Sequence, residues 1–323
     1  MITMIYKKLG KSDVCVSPII VGCWAMGGDY FGEVNDQDSI ACIRTYLDHG
    51  LNTFDTAEIY GSGRAEEVLG CALKEIEREN YVIISKVFPH HFKMEDMEKS
   101  CDDSMRRMGV EYMDTYFLHY PPRDGMPIGE AVENINRLKE KGKIRSIGVS
   151  NFNREMLVEA RRYGQIDVVQ PCYNLLWRYD ERDLLPYCRQ EGISVIPYST
   201  LAQGLLTGKY KADTPITGGR SKAALFQPGV YEKCLEVSDF LVEIGKKYDR
   251  TATQICINWL VNNDLLTAPI VGGTDKHHAA QNFRALDFTL SQEDYDRIDA
   301  CSRDFCSQMP EYVLFFNTAV KGE

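Results

Sequence analysis

The stretch NTFDTAEIYGSG, residues 52–63, begins as an apolar β run and turns polar at Asp55, with a phenol, Tyr60, following just before two glycines. Lys86 sits near the end of a second apolar run, YVIISKV, and His119 near the end of a third, MDTYFLHY. Each residue has an ordinary reading: a turn cap, a rim aromatic, a solvated lysine, a satisfied core histidine. Together they make a proton-transfer apparatus. A phenol with a pKa near ~10 exchanges protons poorly at neutral pH. An adjacent ammonium stabilises the phenolate and lowers that pKa, and a carboxylate keeps a partly desolvated ammonium charged. Tyr60 is therefore the expected proton donor, acidified by Lys86, which Asp55 holds. His119 is placed to hydrogen-bond a carbonyl oxygen or to share in proton relay. No cysteine, serine elbow or metal cluster offers a nucleophile, so a hydride from a cofactor fills the gap.

These residues need one frame to bring them together. After an N-terminal hairpin, YKKLGKSDVCVS, eight β-rich runs (PIIVGCW, LNTFDTA, YVIISKV, MDTYFLHY, IRSIGVSN, DVVQPCYN, ISVIPYST and LTAPIVGG) alternate with helical patterns. Several helical patterns close on glycine, at Gly50, Gly109, Gly142, Gly164 and Gly192, where a left-handed residue ends a helix at little cost. Eight short strands separated by helices predict an α/β fold, a (β/α)8 TIM barrel with a parallel sheet. An open doubly wound sheet is the alternative, but no G-x-G-x-x-G follows the first strand. In a barrel, Asp55, Tyr60, Lys86 and His119 all meet at the carboxyl-end mouth. The long loop after strand seven, KADTPITGGRSKAALFQPGVY, reads either as a lid or as a variable surface loop.

Composition narrows the setting. A chain of 323 residues with 44% hydrophobic and 26% charged residues buries a large core. Its formal net charge of -10, without a dense Lys/Arg block, argues against a nucleic-acid surface. No apolar run approaches a membrane span and the start lacks a signal core, so a cytoplasmic protein is expected. The 11 cysteines read as reduced thiols, with Cys42, Cys71, Cys172 and Cys256 inside apolar-periodic segments; no metal site is expected. The adjacent pairs His90/His91 and His277/His278 suit solvated loop or helix-start positions better than chelation.

In order and spacing, LGKSDVCVSPIIVGCW, NTFDTAEIYGSGRAEEVLG, ISKV, TYFLHY, IRSIGVSNF, VVQPCYN, PYSTLAQGLLTGKY and PIVGGTDKHHAAQN resemble the aldo-keto reductase superfamily over nearly the whole chain. The branches most resembled are the bacterial and channel-β-subunit-like ones. The resemblance implies a single barrel domain over residues 1–323 and an NAD(P)(H)-dependent oxidoreductase interconverting aldehydes or ketones, sugars and polyols among them, with alcohols. The family's tetrad falls on Asp55, Tyr60, Lys86 and His119. By the same resemblance Ser150, Asn151 and Gln170 hold the nicotinamide carboxamide and Tyr198 stacks on its ring. Leu201, Gln203, Gly204, Leu205 and Lys209 wrap the pyrophosphate. Gly272, Gly273, Thr274 and the helix start at Asp275 meet the adenosine phosphate, while Gln281 and Asn282 contact adenine.

Relatives often carry Arg or Lys where this chain has Asp275, and His278 stands at another frequent Arg position. An aspartate repels a 2′-phosphate and accepts a hydrogen bond from a free ribose hydroxyl. Lys276 could compensate, so NADP(H) and NAD(H) both stay open. Trp24, Tyr30, Phe31, Phe88, Tyr120 and Trp177 are expected to build an apolar pocket wall over the small-molecule substrate. Two other readings compete. One is a cofactor-binding, redox-sensing regulatory subunit with little turnover. The other is a barrel hydrolase pairing Asp55 with Glu58, for which Lys86 has no task. The apolar C-terminal segment FCSQMPEYVLFFNTAVKGE leaves an oligomer open.

Overall fold

The computed structural model describes residues 4–30, 32–310 and 313. Phe31 and most of the apolar C-terminal segment lie outside them. Strands β1 (Lys7–Lys8) and β2 (Cys15–Val16) form the N-terminal hairpin. The eight expected barrel strands follow as β3 (Ile20–Gly22), β4 (Thr53–Asp55), β5 (Val82–Val87), β6 (Met113–Leu118), β7 (Ile144–Ser150), β8 (Val168–Gln170), β9 (Ser194–Val195) and β10 (Ile270–Gly272). All pair in parallel in the order β10-β3-β4-β5-β6-β7-β8-β9. The two ends of that order also meet. Thr267 N donates to Val195 O at 2.8 Å and Ile270 N to Pro197 O at 2.9 Å, which curls the sheet into a (β/α)8 barrel.

Side-chain alternation divides the core in two. Ile20, Ile84, Phe117, Val168 and Ile270 point inward, and Leu9, Val14 and Val16 of the hairpin plug the amino-terminal end beneath them. The outward residues, among them Val21, Phe54, Ile83, Tyr116 and Val149, pack under the helices. Those helices are α1 (Asp36–Asp48), α2 (Arg64–Leu73), α3 (Met94–Met108), α4 (Ile128–Glu140), α5 (Arg154–Ala160), α6 (Leu184–Glu191), α7 (Tyr231–Tyr248), α8 (Ala252–Val261), α9 (Lys276–Phe283) and α10 (Gln292–Gln308). Among the described residues no helix is long and apolar enough to cross a membrane.

Three local expectations change. The helical period of AEEVLGCALKEIERE, residues 65–79, predicts one helix, but α2 stops at Leu73, and beyond it Arg78 donates to the Tyr81 and Tyr112 carbonyls and to Asp114 Oδ2 at 2.6 Å. On α2, Cys71 is exposed, and the inner face instead carries the carboxylate of Glu66, which takes Ser85 Oγ at 2.7 Å and Arg107 Nε at 2.7 Å. Gly50, Gly109, Gly142 and Gly192 have positive φ, but Gly164 does not. Its requirement is space, since a methyl there would stand 2.0 Å from Asn136 Nδ2.

Candidate active site

Strand alternation explains how residues far apart in sequence meet. Counting by two from the inward residues Ile84, Phe117 and Val168 reaches Lys86, His119 and Gln170, each at or just past the carboxyl end of its strand. On β4, Asp55 lies next to Ile84 in register, and on β7, Ser150 lies next to Gln170. One face of the period therefore delivers a carboxylate, an ammonium, an imidazole, a hydroxyl and an amide to one mouth.

Lys86 is fully buried at its centre. Its Nζ donates to Asp55 Oδ1 at 2.6 Å, to the Thr56 carbonyl at 2.8 Å and to Tyr60 Oη at 3.4 Å. Gln170 Nε2 donates to the other Asp55 oxygen at 2.8 Å. Burial pulls the Lys86 ammonium below its ordinary pKa and pushes the Asp55 carboxyl above its own, each opposed by the charge of the other. The ring of His119 stands edge-on to Tyr60 at 5.8 Å between centroids. Burial, then the charge of Lys86, holds this imidazole well below the usual histidine range, so it is neutral at neutral pH.

The expected acidification of Tyr60 is not found. Burial pushes the phenol well above its ordinary value and the Asp55 charge adds to this. Asp55, at 2.6 Å from the ammonium, opposes the field that Lys86 exerts on the hydroxyl 3.4 Å away. Tyr60 is thus a firmly neutral phenol accepting a hydrogen bond from Lys86.

The glycines after Tyr60 hold its ring. Gly61, Ser62 and Gly63 all have positive φ, and a methyl on Gly61 would lie 2.3 Å from the Gly27 carbonyl oxygen. This backbone contact, with Asp29 Oδ2 accepting from Gly61 N at 3.2 Å, brings Trp24 to 6.1 Å from the Tyr60 ring, stacked. Tyr30 stacks on Trp24 at 4.9 Å, while Phe88 stands edge-on to His119 and Tyr120. Trp177 differs from these. It is 2% exposed, and its indole N–H donates to the Val313 carbonyl at 2.6 Å, so its bulk goes into packing. Phe31 lies outside the described residues.

Beside the tetrad, Asn151 joins the remaining groups of the mouth. Its Nδ2 donates to the His119 carbonyl at 2.9 Å and to Ser150 Oγ at 3.2 Å, and its Oδ1 accepts from Tyr198 Oη at 2.7 Å. Ser150 Oγ in turn donates to the Gln170 carbonyl at 2.8 Å. After β9, Ala202, Gln203 and Gly204 have φ of 48°, 56° and 97°, a run that turns the backbone into a concave loop suited to an anion. Lys209 Nζ lies 3.0 Å from where a Cβ on Gly204 would stand; Leu205 is buried beneath and Leu201 half-buried beside it.

At the far end, Asp275 caps α9, accepting from His277 N at 2.8 Å and His278 N at 3.0 Å, and its second oxygen faces His278 Nδ1 at 3.0 Å. Thr274 N donates to the same ring nitrogen, and Gly272 is exposed at the strand end. Gln281 is exposed on α9. Asn282 is only 3% exposed, and its amide donates to Tyr46 Oη at 2.6 Å and to the Gly272 carbonyl at 3.2 Å, a strut behind the site.

Two buried polar atoms along this path have no hydrogen-bond partner among the described residues: Nδ1 of His119 and Nε2 of Gln203. The mouth thus offers amides and a hydroxyl at one end and a cationic, concave loop at the other. That donor set fits a nicotinamide dinucleotide.

Two residues were missed in the sequence. Arg220, from the long loop, donates through Nε to the Gln203 carbonyl at 3.1 Å and adds a cation beside Lys209; the only signal was an arginine after two glycines in TGGRSK. Glu58 was weighed only as a partner for Asp55. Its oxygens instead take Phe88 N at 2.6 Å and Ser100 Oγ at 2.7 Å, so the two carboxylates do not face one another and a paired-acid hydrolase has no footing.

A parallel barrel whose mouth holds a buried ammonium, a neutral phenol and donors suited to a dinucleotide fits a barrel oxidoreductase. The profile of the Aldo/keto reductase family matches residues 18–303, and the chain belongs to that family as an NAD(P)(H)-dependent aldo-keto reductase. It is 33% identical over 312 residues to an NADH-specific methylglyoxal reductase of Escherichia coli (strain K12), covering 88% of this chain and 94% of that protein. Among solved structures, a glycerol dehydrogenase from Gluconobacter oxydans superposes with a TM-score of 0.85 at 28% identity, covering 95% of this chain and 97% of that one. An aldo-keto reductase from Klebsiella pneumoniae in complex with NADPH gives 0.77 at 30% identity, covering 98% and 100%.

Proposed function

We propose that this chain reduces a small aldehyde or ketone, and reversibly oxidises the matching alcohol, within one barrel domain and with Tyr60 as the acid/base. The observation that carries the reading is the hydrogen bond from Lys86 Nζ to Tyr60 Oη inside a fully buried Lys86–Asp55 pair. A bound dihydronicotinamide supplies the hydride. Tyr60, half-buried and held neutral by desolvation, gives its proton to the carbonyl oxygen. The phenolate left behind is stabilised by the ammonium already donating to its oxygen, which opposes the rise that desolvation imposes on the phenol. Neutral His119 fixes the carbonyl oxygen without adding a competing proton. Ser150, Asn151 and Gln170 orient the nicotinamide carboxamide, Tyr198 covers its ring, and Gln203, Lys209 and Arg220 hold the pyrophosphate. Trp24, Tyr30 and Phe88 form the apolar wall that excludes water from the reacting carbon.

The cofactor we assign is NADH in preference to NADPH. Asp275 spends one oxygen on the α9 amino terminus and keeps the other beside His278, which leaves negative charge at the position that the family resemblance assigns to the adenosine phosphate. The NADH-specific relative supports the same choice. Fluorescence titration with NADH and with NADPH, followed by steady-state turnover on a panel of small aldehydes, ketones, sugars and polyols with the tighter one, tests the reading. Turnover of at least one carbonyl compound with NADH is expected. Tight cofactor binding without turnover on any of them would favour the redox-sensing subunit.

A further inference from the structure

We propose that Glu58 is a positioning residue for this reaction, holding the loop that carries Tyr60 against the strand end that carries Lys86 through a hydrogen-bonded junction with Phe88, His91 and Ser100. The inference rests on Tyr60 being the acid/base.

Glu58 precedes Tyr60 by two residues, and Phe88 follows Lys86 by two. The Glu58 side chain is 8% exposed. Its Oε1 accepts from Phe88 N at 2.6 Å and lies 3.0 Å from His91 Nδ1, while its Oε2 accepts from Ser100 Oγ at 2.7 Å. Its own backbone N–H donates to the Lys86 carbonyl at 3.5 Å. The segment between Asp55 and Tyr60 is therefore pinned twice to β5 and its loop. The first pin is the Lys86 side chain on Asp55 and the Thr56 carbonyl. The second is Glu58, which reaches the backbone just beyond Lys86 and, through Ser100, the helix α3. Without the second pin, the segment leading to Tyr60 keeps the Gly61 contacts with Gly27 and Asp29 on its far side but loses its side-chain tie to the strand end that carries Lys86, and the 3.4 Å contact between the two residues loses support.

The junction also sets the pocket wall. Phe88, held by its backbone N–H, stands edge-on to His119 at 6.2 Å. Glu58 thus fixes both the donor loop and the ring beside the imidazole.

The cluster is not a nucleophile in its own right. Glu58 and Ser100 both approach the same ring nitrogen, with Ser100 Oγ 3.0 Å from His91 Nδ1. The serine hydrogen is committed to Glu58 Oε2, so the hydrogen on His91 Nδ1 serves Oε1 and the serine oxygen. No base is left to deprotonate the serine, whereas a relay needs the carboxylate and the hydroxyl on opposite ring nitrogens. What remains is a carboxylate with three donors converging on it from two elements. That is a geometric device, and alanine at this position strands all three donors.

Steady-state kinetics and cofactor titration on Glu58→Ala, Glu58→Gln, Tyr60→Phe, the Tyr60→Phe/Glu58→Ala double variant and Lys99→Ala test this. Lys99 pairs with Asp103 on the exposed side of α3, and its variant is expected to match the parent. Glu58→Ala should lower kcat about 10- to 100-fold while the cofactor Kd stays within about 2-fold, the signature of a displaced acid rather than of a loosened cofactor site. Glu58→Gln, which keeps an oxygen for Phe88 N, should recover kcat to within about 5-fold of the parent. In the Tyr60→Phe background, Glu58→Ala should remove less than about a further 2-fold, because the group it positions is gone. Unchanged kcat in Glu58→Ala, a parallel loss of cofactor binding, or a full additional loss in the double variant would overturn the proposal. Retained turnover in Tyr60→Phe alone would overturn the reading beneath it instead. Should Glu58→Ala fail to fold, Ser100→Ala removes one donor and leaves the carboxylate, and the same split between kcat and cofactor Kd is expected at smaller size.

Discussion

Asp55 and Lys86 form a buried ion pair at 2.6 Å, and the geometry around it sets every other property of the mouth. The pair is nearly sealed from solvent, with side-chain exposures of 4% and 0%. Each charge is tolerated because the other is present and because Gln170 and the Thr56 carbonyl satisfy what the pair leaves over.

Breaking the pair should therefore cost stability as well as rate. Lys86→Met leaves Asp55 buried beside an apolar side chain, and unfolding in urea should show a loss of about 3–5 kcal/mol. Adding Asp55→Asn removes the stranded charge and should restore part of that stability while turnover stays low. A double variant no more stable than the single one would contradict this.

The directions of the two proton affinities fix the pH profile. Tyr60 lies above its ordinary value, so its protonated form is present at low and neutral pH and is lost only as pH climbs through that raised value. His119 lies below its own, so it stays neutral down through the mildly acidic range. Carbonyl reduction should then vary by less than about 3-fold between about pH 6 and about pH 9, whereas alcohol oxidation, which needs the phenolate, should rise with pH. A kcat for reduction that falls with an inflection near about pH 7 would show that Tyr60 is acidified after all.

Gly61→Ala tests the backbone contact that sets the phenol. The residue has φ of 58°, and the added methyl meets the Gly27 carbonyl at 2.3 Å. Thermal unfolding should show a destabilisation of about 1–3 kcal/mol, and kcat should fall while the cofactor Kd is held. The same change at Gly109, which has positive φ but open space around it, is expected to leave kcat alone.

Asp275→Arg should turn the cofactor preference. A guanidinium at this position can pair with a 2′-phosphate, worth about 1.5–3 kcal/mol, so NADPH should bind on the order of 10-fold tighter or more. Part of the gain is offset, because the variant also removes the cap on α9. Equal NADPH affinity in the parent and the variant would mean that Asp275 does not face the cofactor.

Much of this was legible because short apolar runs regularly separated by helical patterns are a strong signal of a parallel sheet. Five of the eight apolar runs carry Asp55, Lys86, His119, Ser150 or Gln170 toward their carboxyl ends, which prescribes one shared barrel mouth, and each strand lies within its run. What the sequence concealed depends on three-dimensional neutralisation and burial. That Lys86 would acidify Tyr60 follows from a pairwise view; that desolvation, with the Asp55 charge added to it, outweighs the ammonium follows only from the folded arrangement. Trp177 reads as a pocket aromatic by position, yet the Val313 carbonyl captures its indole. Glu58 and Arg220 act through backbone groups of residues distant in sequence, and such partners leave no pattern in composition or spacing. Gly164 looks like a helix end and serves as clearance for Asn136.

The most direct test of the central claim pairs turnover with cofactor affinity in Tyr60→Phe, which removes one hydroxyl and keeps the ring between Trp24 and His119. Proton donation by Tyr60 predicts that kcat for carbonyl reduction falls by about 100-fold or more while the Kd for NADH changes by less than about 2-fold. A variant that still reduces the same carbonyl compound at near-parent rate would show that the proton comes from elsewhere.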